Sequence, residues 1–149
     1  MIIRPAHSTD AGSVGAILSE FVDTTEWMPR IHTRAEDLHH AGTMIDRGWV
    51  HVAQTDRVVG FVARHDHDIL ALYVTARARG AGIGAALLTT AKDKAKQGQS
   101  SLRLWTFQAN TGAQQFYLRE GFAEVQRTDG AGNDEGLPDI QYQWPAPTL

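Results

Sequence analysis

The chain has 149 residues, 14 basic against 17 acidic, and no cysteine, which removes disulfides, thiolate metal sites and cysteine nucleophiles from consideration. A net charge of −3 argues against work that consists of holding nucleic acid or an anionic membrane surface. No apolar run approaches the length that crosses a bilayer, and the start, Met1-Ile-Ile-Arg-Pro, lacks the apolar core of a secretory signal; the expectation is one domain over residues 1–149, working in the cytoplasm.

Ile2-Ile3-Arg4-Pro5 reads as a short first strand. Asp10 is placed to cap a helix whose apolar residues Val14, Ile17, Leu18 and Phe21 recur at the spacing of one helical face. An irregular stretch from Asp23 to His32 follows, rich in functional side chains such as Glu26, Trp27 and His32. Thr33-Arg-Ala-Glu36 has the form of a capping box and opens a second helix through Leu38, Met44 and Ile45 to Gly48. Residues 49–54 and 58–63, divided by Asp56-Arg57, read as a β-hairpin. After a turn near Asp66-His67, residues 69–74 are apolar at nearly every position, the pattern of a strand covered on both faces.

Arg79-Gly80-Ala81-Gly82-Ile83-Gly84-Ala85 separates that strand from a segment in which Leu87, Leu88, Ala91 and Ala95 keep helical spacing as far as Gly98. Alternate glycines let a backbone pass close to a ligand and aim successive N–H groups at one point, beside a helix N-terminus with positive potential. Such a turn is a cradle for a phosphate or pyrophosphate. It is not a P-loop, because no Gly-Lys-Ser/Thr closes it, and a strict GxGxxG is absent, since Ala85 and Leu87 follow Gly80, Gly82 and Gly84. Downstream, residues 102–107 alternate as a strand, a helix starts near Asn110 and stops at Gly121, and residues 122–128 alternate again. A polar loop with Asp134 and Glu135 leads to a last strand over residues 139–144. The order β-α-α-β-β-β-α-β-α-β-β predicts an α/β (α+β) fold with a mixed central sheet of about seven strands and helices on both faces.

Arg79 to Gly84 fits Arg/Gln-x-x-Gly-x-Gly, and Asn110-Thr-Gly-Ala113-Gln-Gln-Phe116-Tyr117, followed by Gly121-Phe122, fits Asn-x-x-Ala-x-x-Phe-Tyr with its later Gly-Phe. With these two motifs at this separation the chain resembles the Gcn5-related N-acetyltransferases, most strongly from about Ile69 to Phe122. The resemblance implies an acyl-CoA N-acyltransferase fold, acetyl-CoA as acetyl donor, and direct attack by a primary amine in a ternary complex. It assigns the pyrophosphate to the turn of Arg79, Gly80, Ala81, Gly82, Ile83, Gly84 and Ala85, and the pantetheine arm to the main chain of Leu72, Tyr73 and Val74, on a strand that splays from its neighbour. Asn110 and Phe116 complete the implied cofactor contacts. Tyr117 is the implied general acid, which protonates the departing thiolate; it stands seven residues after Asn110, on the same helical face about 10 Å along the axis.

The acceptor side falls, by the same resemblance, to the stretch with Trp27 and His32 and to the loop with Asp134 and Glu135, whose acidic groups suit a cationic amine. The acceptor is a small-molecule amine or a protein amino group. Asp68, six residues before Val74, matches the place of a glutamate in the histone-acetylating branch; His32, Glu26, His65 and a water chain are the other choices of base. His39-His40 and Asp66-His67-Asp68 do not converge as metal ligands, and transfer from a thioester needs no Lewis acid, so no metal is expected. Neither nucleic acid nor membrane is an expected partner; an exposed last strand or hairpin offers a route to a homodimer. A non-catalytic acyl-CoA-binding module would use the same cradle, and Tyr117 is the residue that argues for the enzyme.

Overall fold

A computed structural model describes residues 1–148. Its strands are β1 (Ile2–Pro5), β2 (Val50–Gln54), β3 (Val58–His65), β4 (Asp68–Val74), β5 (Leu102–Phe107), β6 (Ala123–Thr128) and β7 (Asp139–Trp144). The helices are α1 (Ala11–Thr24), α2 (Arg34–Asp46), α3 (Ile83–Gln97) and α4 (Thr111–Arg119), in the predicted order along the chain. All seven strands share one mixed sheet in the order β1-β2-β3-β4-β5-β7-β6. Neighbours are antiparallel except β4 and β5, which run parallel and register only at Asp68 and Arg103. Beyond that single pair the two central strands part, and the β5-facing edge of β4 is left without a ladder partner as far as Val74.

The sheet lies between two apolar layers. On one face α3 packs Leu87, Leu88, Ala91 and Ala95 against Val62, Leu102, Leu104 and Ile140. On the other, α1 and α2 set Val14, Ile17, Met44 and Ile45 against Val52, Phe61 and Ala63. Leu87 and Leu88 are fully buried, and each such side chain contributes about 1.5–3 kcal/mol by leaving water, which fixes the N-terminal half of α3 on the sheet. The α1–α2 crossing is a backbone contact, since a Cβ on Gly15 would stand 2.9 Å from the Leu38 Cα.

Local signals set the ends of several elements. Thr33 and Glu36 close the capping box of α2 reciprocally, at 3.1 and 2.9 Å, Asn110 accepts from the Ala113 N–H at 3.1 Å as the cap of α4, and α3 stops at Gly98. Four expectations need correction. The last strand is not an exposed edge, because β7 pairs with β5 on one side and β6 on the other. Asp10 does not cap α1 with its side chain; a 3-10 turn over Ser8–Asp10 comes first, and the carboxylate takes the Arg4 guanidinium at 2.8 Å and the His7 N–H at 2.7 Å. Leu38 belongs to α2 but is exposed, because the Gly15 contact brings its backbone rather than its side chain to α1. The strand buried on both faces is β3, not β4, where Leu70 is 48% exposed and Leu72, Tyr73 and Val74 are half-buried. The cause is the gap beside β4 together with a bulge, for Ala63 pairs Ala71 while Arg64 pairs Ile69, leaving Leu70 as an extra residue.

Candidate active site

Where β4 and β5 part, a wedge forms whose floor is a 90 Å³ cavity lined by Leu72, Tyr73, Thr106, Phe107, Asn110 and Tyr117. Two grooves meet it. One, of 570 Å³, runs past Leu72, Val74, Arg79 and Asn110 under Glu26 and Trp27. The other, of 730 Å³, lies between α1, α2 and the β6–β7 loop and carries Phe21, Met28, His32, Asp134 and Glu135. Tyr73 borders all three spaces. Alternation along β4 explains this: Leu72 and Val74 pack toward α3, and Tyr73 points to the α1 face, against Phe21 at 4.8 Å between ring centroids.

At the open end of β4 the chain makes a short 3-10 turn, Ala76–Ala78, and enters the glycine turn. Gly80 and Gly82 hold φ of +81° and +79°, left-handed conformations that other residues adopt only with strain. Gly82 is the N-cap of α3 and has no side chain with which to cap it. Ala86 bonds back to the Gly82 carbonyl at 3.0 Å, whereas among the described residues the N–H groups from Gly80 to Ala85 have no main-chain acceptor. This is a row of free donors at a helix N-terminus, the arrangement that holds an anion. Gly84 serves differently: a Cβ there would meet the Phe116 ring at 3.6 Å and Val74 at 3.9 Å, so Phe116 braces the first turn of α3 against β4.

Two residues that sequence reading missed brace the two sides of the wedge, Glu20 at the approach to this turn and Gln114 at the end of β5. The Glu20 carboxylate, on α1, accepts from the Ala76 N–H at 2.7 Å and the Thr75 hydroxyl at 2.8 Å. The Ala76 bond above all, with Thr75 and the nearby Arg79 and Arg77 charges, holds that carboxyl below its ordinary range. Gln114 donates to the Phe107 and Gln108 carbonyls at 3.3 and 2.7 Å and ties α4 to the end of β5. Arg79 donates its Nε–H to the Val74 carbonyl at 3.2 Å, shaping the corner while its side chain stays exposed.

Tyr117 is 8% exposed and packs among Phe116, Phe122 and Tyr142 at centroid distances of 5.2, 5.6 and 6.1 Å. Burial pushes its phenol well above the ordinary tyrosine range, with Tyr73 adding to the effect. Tyr73 is pushed up to about 12 by burial and then by the Glu135 carboxylate. Both are therefore proton-bearing groups at neutral pH. An unfolded tyrosine ionises near about 10, and a raised folded value means stability that is complete below that pH and lost as pH climbs toward the folded value. Urea unfolding across pH is expected to show stability falling between about 10 and about 12. The fall should be about 1.4 kcal/mol for each pH unit that separates the folded from the unfolded value, and shallower in Tyr73→Phe.

The predicted acceptor residues divide. His32, Asp134 and Glu135 share the 730 Å³ groove. Trp27 stands on the other groove, edge-on to Phe21 at 6.3 Å and Phe107 at 5.7 Å, as a roof across the wedge, and Glu26 is beside it. Asp68 is at the closed end of the wedge on the surface, 3.8 Å from Arg103, and His65 stacks on Trp49 at 4.4 Å and faces Asp66. Neither Asp68 nor His65 lines a space that holds Tyr73. No described helix is long and apolar enough to cross a membrane.

Comparison with known proteins agrees with the fold. A family model described as the acetyltransferase (GNAT) domain matches residues 46–124, more than half of the chain and both motifs up to Phe122. Ribosomal-protein-alanine N-acetyltransferase from Brucella melitensis is similar in structure, with a TM-score of 0.78, 24% identity, and 96% of this chain and 98% of that one covered. YjaB from Escherichia coli, solved in its apo form, has a TM-score of 0.78 at 22% identity, with 99% and 100% covered. The yncA protein from Salmonella typhimurium, a putative acetyltransferase solved with its cofactor acetyl-CoA, has a TM-score of 0.78 at 20% identity, with 100% and 96% covered. No curated protein matches the sequence. The match over residues 46–124 settles the family: the chain belongs to the Gcn5-related N-acetyltransferases (GNAT).

Proposed function

We propose that this protein is an acetyl-CoA-dependent N-acetyltransferase, acting as one domain, that moves the acetyl group to a primary amine by direct attack in a ternary complex. The observation that carries the reading is the parting of β4 from β5 after a single pair, with unbonded amides at one end and a buried phenol on the floor. The N–H groups of Gly80 to Ala85 would take the pyrophosphate. Main-chain groups of Leu72, Tyr73 and Val74, left without a ladder partner, would pair the pantetheine amides as a neighbouring strand would. Asn110 and Phe116 would flank the arm. Acetyl-CoA supplies a thioester, whose carbonyl carbon is the electrophile.

Tyr117 would give its proton to the departing sulfur. Asp134, Glu135 and His32 line the groove from which the amine would enter, and apolar walls from Phe21, Met28, Leu70 and Phe107 would hold its carbon body. The test is thiol release from acetyl-CoA over a panel of amines, alongside calorimetric titration with CoA. Amine-dependent release at a rate above that of water alone supports the enzyme. Tight CoA binding with no release for any amine would leave a binding module instead.

A further inference from the structure

Transfer from a thioester to an amine that arrives as an ammonium needs a base, and sequence alone leaves that base open. Within the acetyltransferase reading, on which this inference rests, most carboxylates near the wedge are already committed. Asp37 accepts from the Ser19 hydroxyl at 2.6 Å and from Arg30 at 3.2 Å. Glu36 closes the α2 capping box. Asp139 is buried and bonded to Thr128 and Asn133. Asp68 faces Arg103 at the closed end, and Glu26 lies on the cofactor side. Among the carboxylates Asp134 and Glu135 remain, while His32 in the same groove faces Glu36 at 3.8 Å; among the described residues neither Asp134 nor Glu135 has an ion pair or a side-chain hydrogen bond.

Placement separates these two. Asp134 is exposed and borders one groove; Glu135 is half-buried and borders both the 730 Å³ groove and a 540 Å³ cavity beside Trp105 and Phe107. The Glu135 charge also reaches the Tyr73 phenol, and Tyr73 is one of the side chains, with Phe21, Leu70 and Phe107, that line both the acceptor groove and the wedge. The loop that presents Glu135 is built to hold still. Asn133 donates to the Leu137 carbonyl at 2.8 Å and to Asp139 at 3.2 Å, and accepts from the Leu137 N–H at 3.3 Å. A carboxylate without a partner on a fixed loop is placed to attract a cation at close range.

We propose that Glu135 is the general base of the transfer, receiving the ammonium of an alkyl primary amine with an apolar or aromatic body at the mouth of the wedge. One ammonium proton passes to the Glu135 carboxylate and then to solvent. The freed nitrogen lone pair forms the C–N bond to the thioester carbon, and the C–S bond breaks with its electron pair going to sulfur. Tyr117 protonates that sulfur, and the second proton lost by the nitrogen restores the Tyr117 hydroxyl. The sum is one amide, one thiol and one released proton.

Two probes of equal length test this: phenethylamine, an ammonium at neutral pH with an ordinary value of roughly 10, as for lysine, and O-benzylhydroxylamine, already neutral there. Glu135→Gln is expected to lower kcat/KM for phenethylamine by about 10²–10⁴ and for O-benzylhydroxylamine by less than about tenfold, with the KM for acetyl-CoA unchanged. Asn133→Ala, a positioning change, should give the same selective loss at smaller size, in kcat more than in acetyl-CoA KM. Equal losses for both probes, or no loss for either, would overturn the base assignment. Wild-type protein that binds acetyl-CoA and acetylates neither probe would overturn the alkylamine class, whereas failure to bind acetyl-CoA would sink the acetyltransferase reading itself.

Discussion

Tyr117→Phe is expected to slow acetyl transfer by about 10²–10⁴ while leaving acetyl-CoA affinity and thermal stability close to those of the unaltered protein. The packing reason is that phenylalanine keeps the ring contacts with Phe116, Phe122 and Tyr142 and removes only the oxygen. The chemical reason lies in the burial that raises the phenol. A free thiol of cysteine type ionises near about 8.5, and on that scale a raised tyrosine would be a poor acid. The same low-dielectric floor disfavours a thiolate, however, so the sulfur's demand for a proton rises together with the phenol's reluctance to give it. Because Tyr117 stays protonated through neutral pH, it should add no limb to the rate profile there. Thiol release and calorimetry on the two proteins check this, and equal turnover would remove Tyr117 from the mechanism.

Gly130→Ala carries the second large effect, at the base of the β6–β7 loop. Gly130 has φ of +87°, and a Cβ there would stand 2.3 Å from the Leu137 carbonyl carbon and oxygen and 2.8 Å from its nitrogen. Those are main-chain atoms that cannot rotate aside. Left-handed strain of about 1–2 kcal/mol adds to an overpacking cost of about 1–3 kcal/mol, and the loop should yield before the sheet does. With Leu137 displaced, its bonds with Asn133 are lost and Glu135 loses its place. The expected result is a large fall in kcat/KM for the amine, a lower melting temperature, and acetyl-CoA binding within about threefold of the unaltered protein, an affinity change under about 0.7 kcal/mol. Unchanged amine kinetics would show that this loop takes no part in acceptor handling.

Much of this architecture was legible in the sequence because the deciding interactions are local. The Thr33–Glu36 box, the Asn110 cap and the alternation of β5 each depend on residues within a few positions of one another. The glycine turn was legible for the same reason: its left-handed conformations belong to single residues. What stayed hidden is long-range. An apolar β4 reads the same whether its edge meets a strand or a vacant wedge, so the gap after Asp68 and Arg103 leaves no trace in composition, and only the resemblance carried by the two motifs implied that this strand splays. Glu20 clamps Thr75 and Ala76 from more than fifty residues away. Asp134 and Glu135 look alike in a polar loop until Asn133 and Gly130 fold it, and the elimination of Asp37 and Asp68 depends on Arg30, Ser19 and Arg103 being near them.

Acetyl-CoA titrated into isotope-labelled protein, with backbone amide resonances followed by NMR, bears most directly on the cradle beside Arg79 and the wedge behind it. The amides of Gly80 to Ala85 should move most, followed by those of Leu72 to Val74, with the β6–β7 loop nearly still until an amine is added. Movement centred on any other surface, with Gly80 to Ala85 unchanged at saturation, would contradict a pyrophosphate held there and with it the placement of the thioester beside Tyr117.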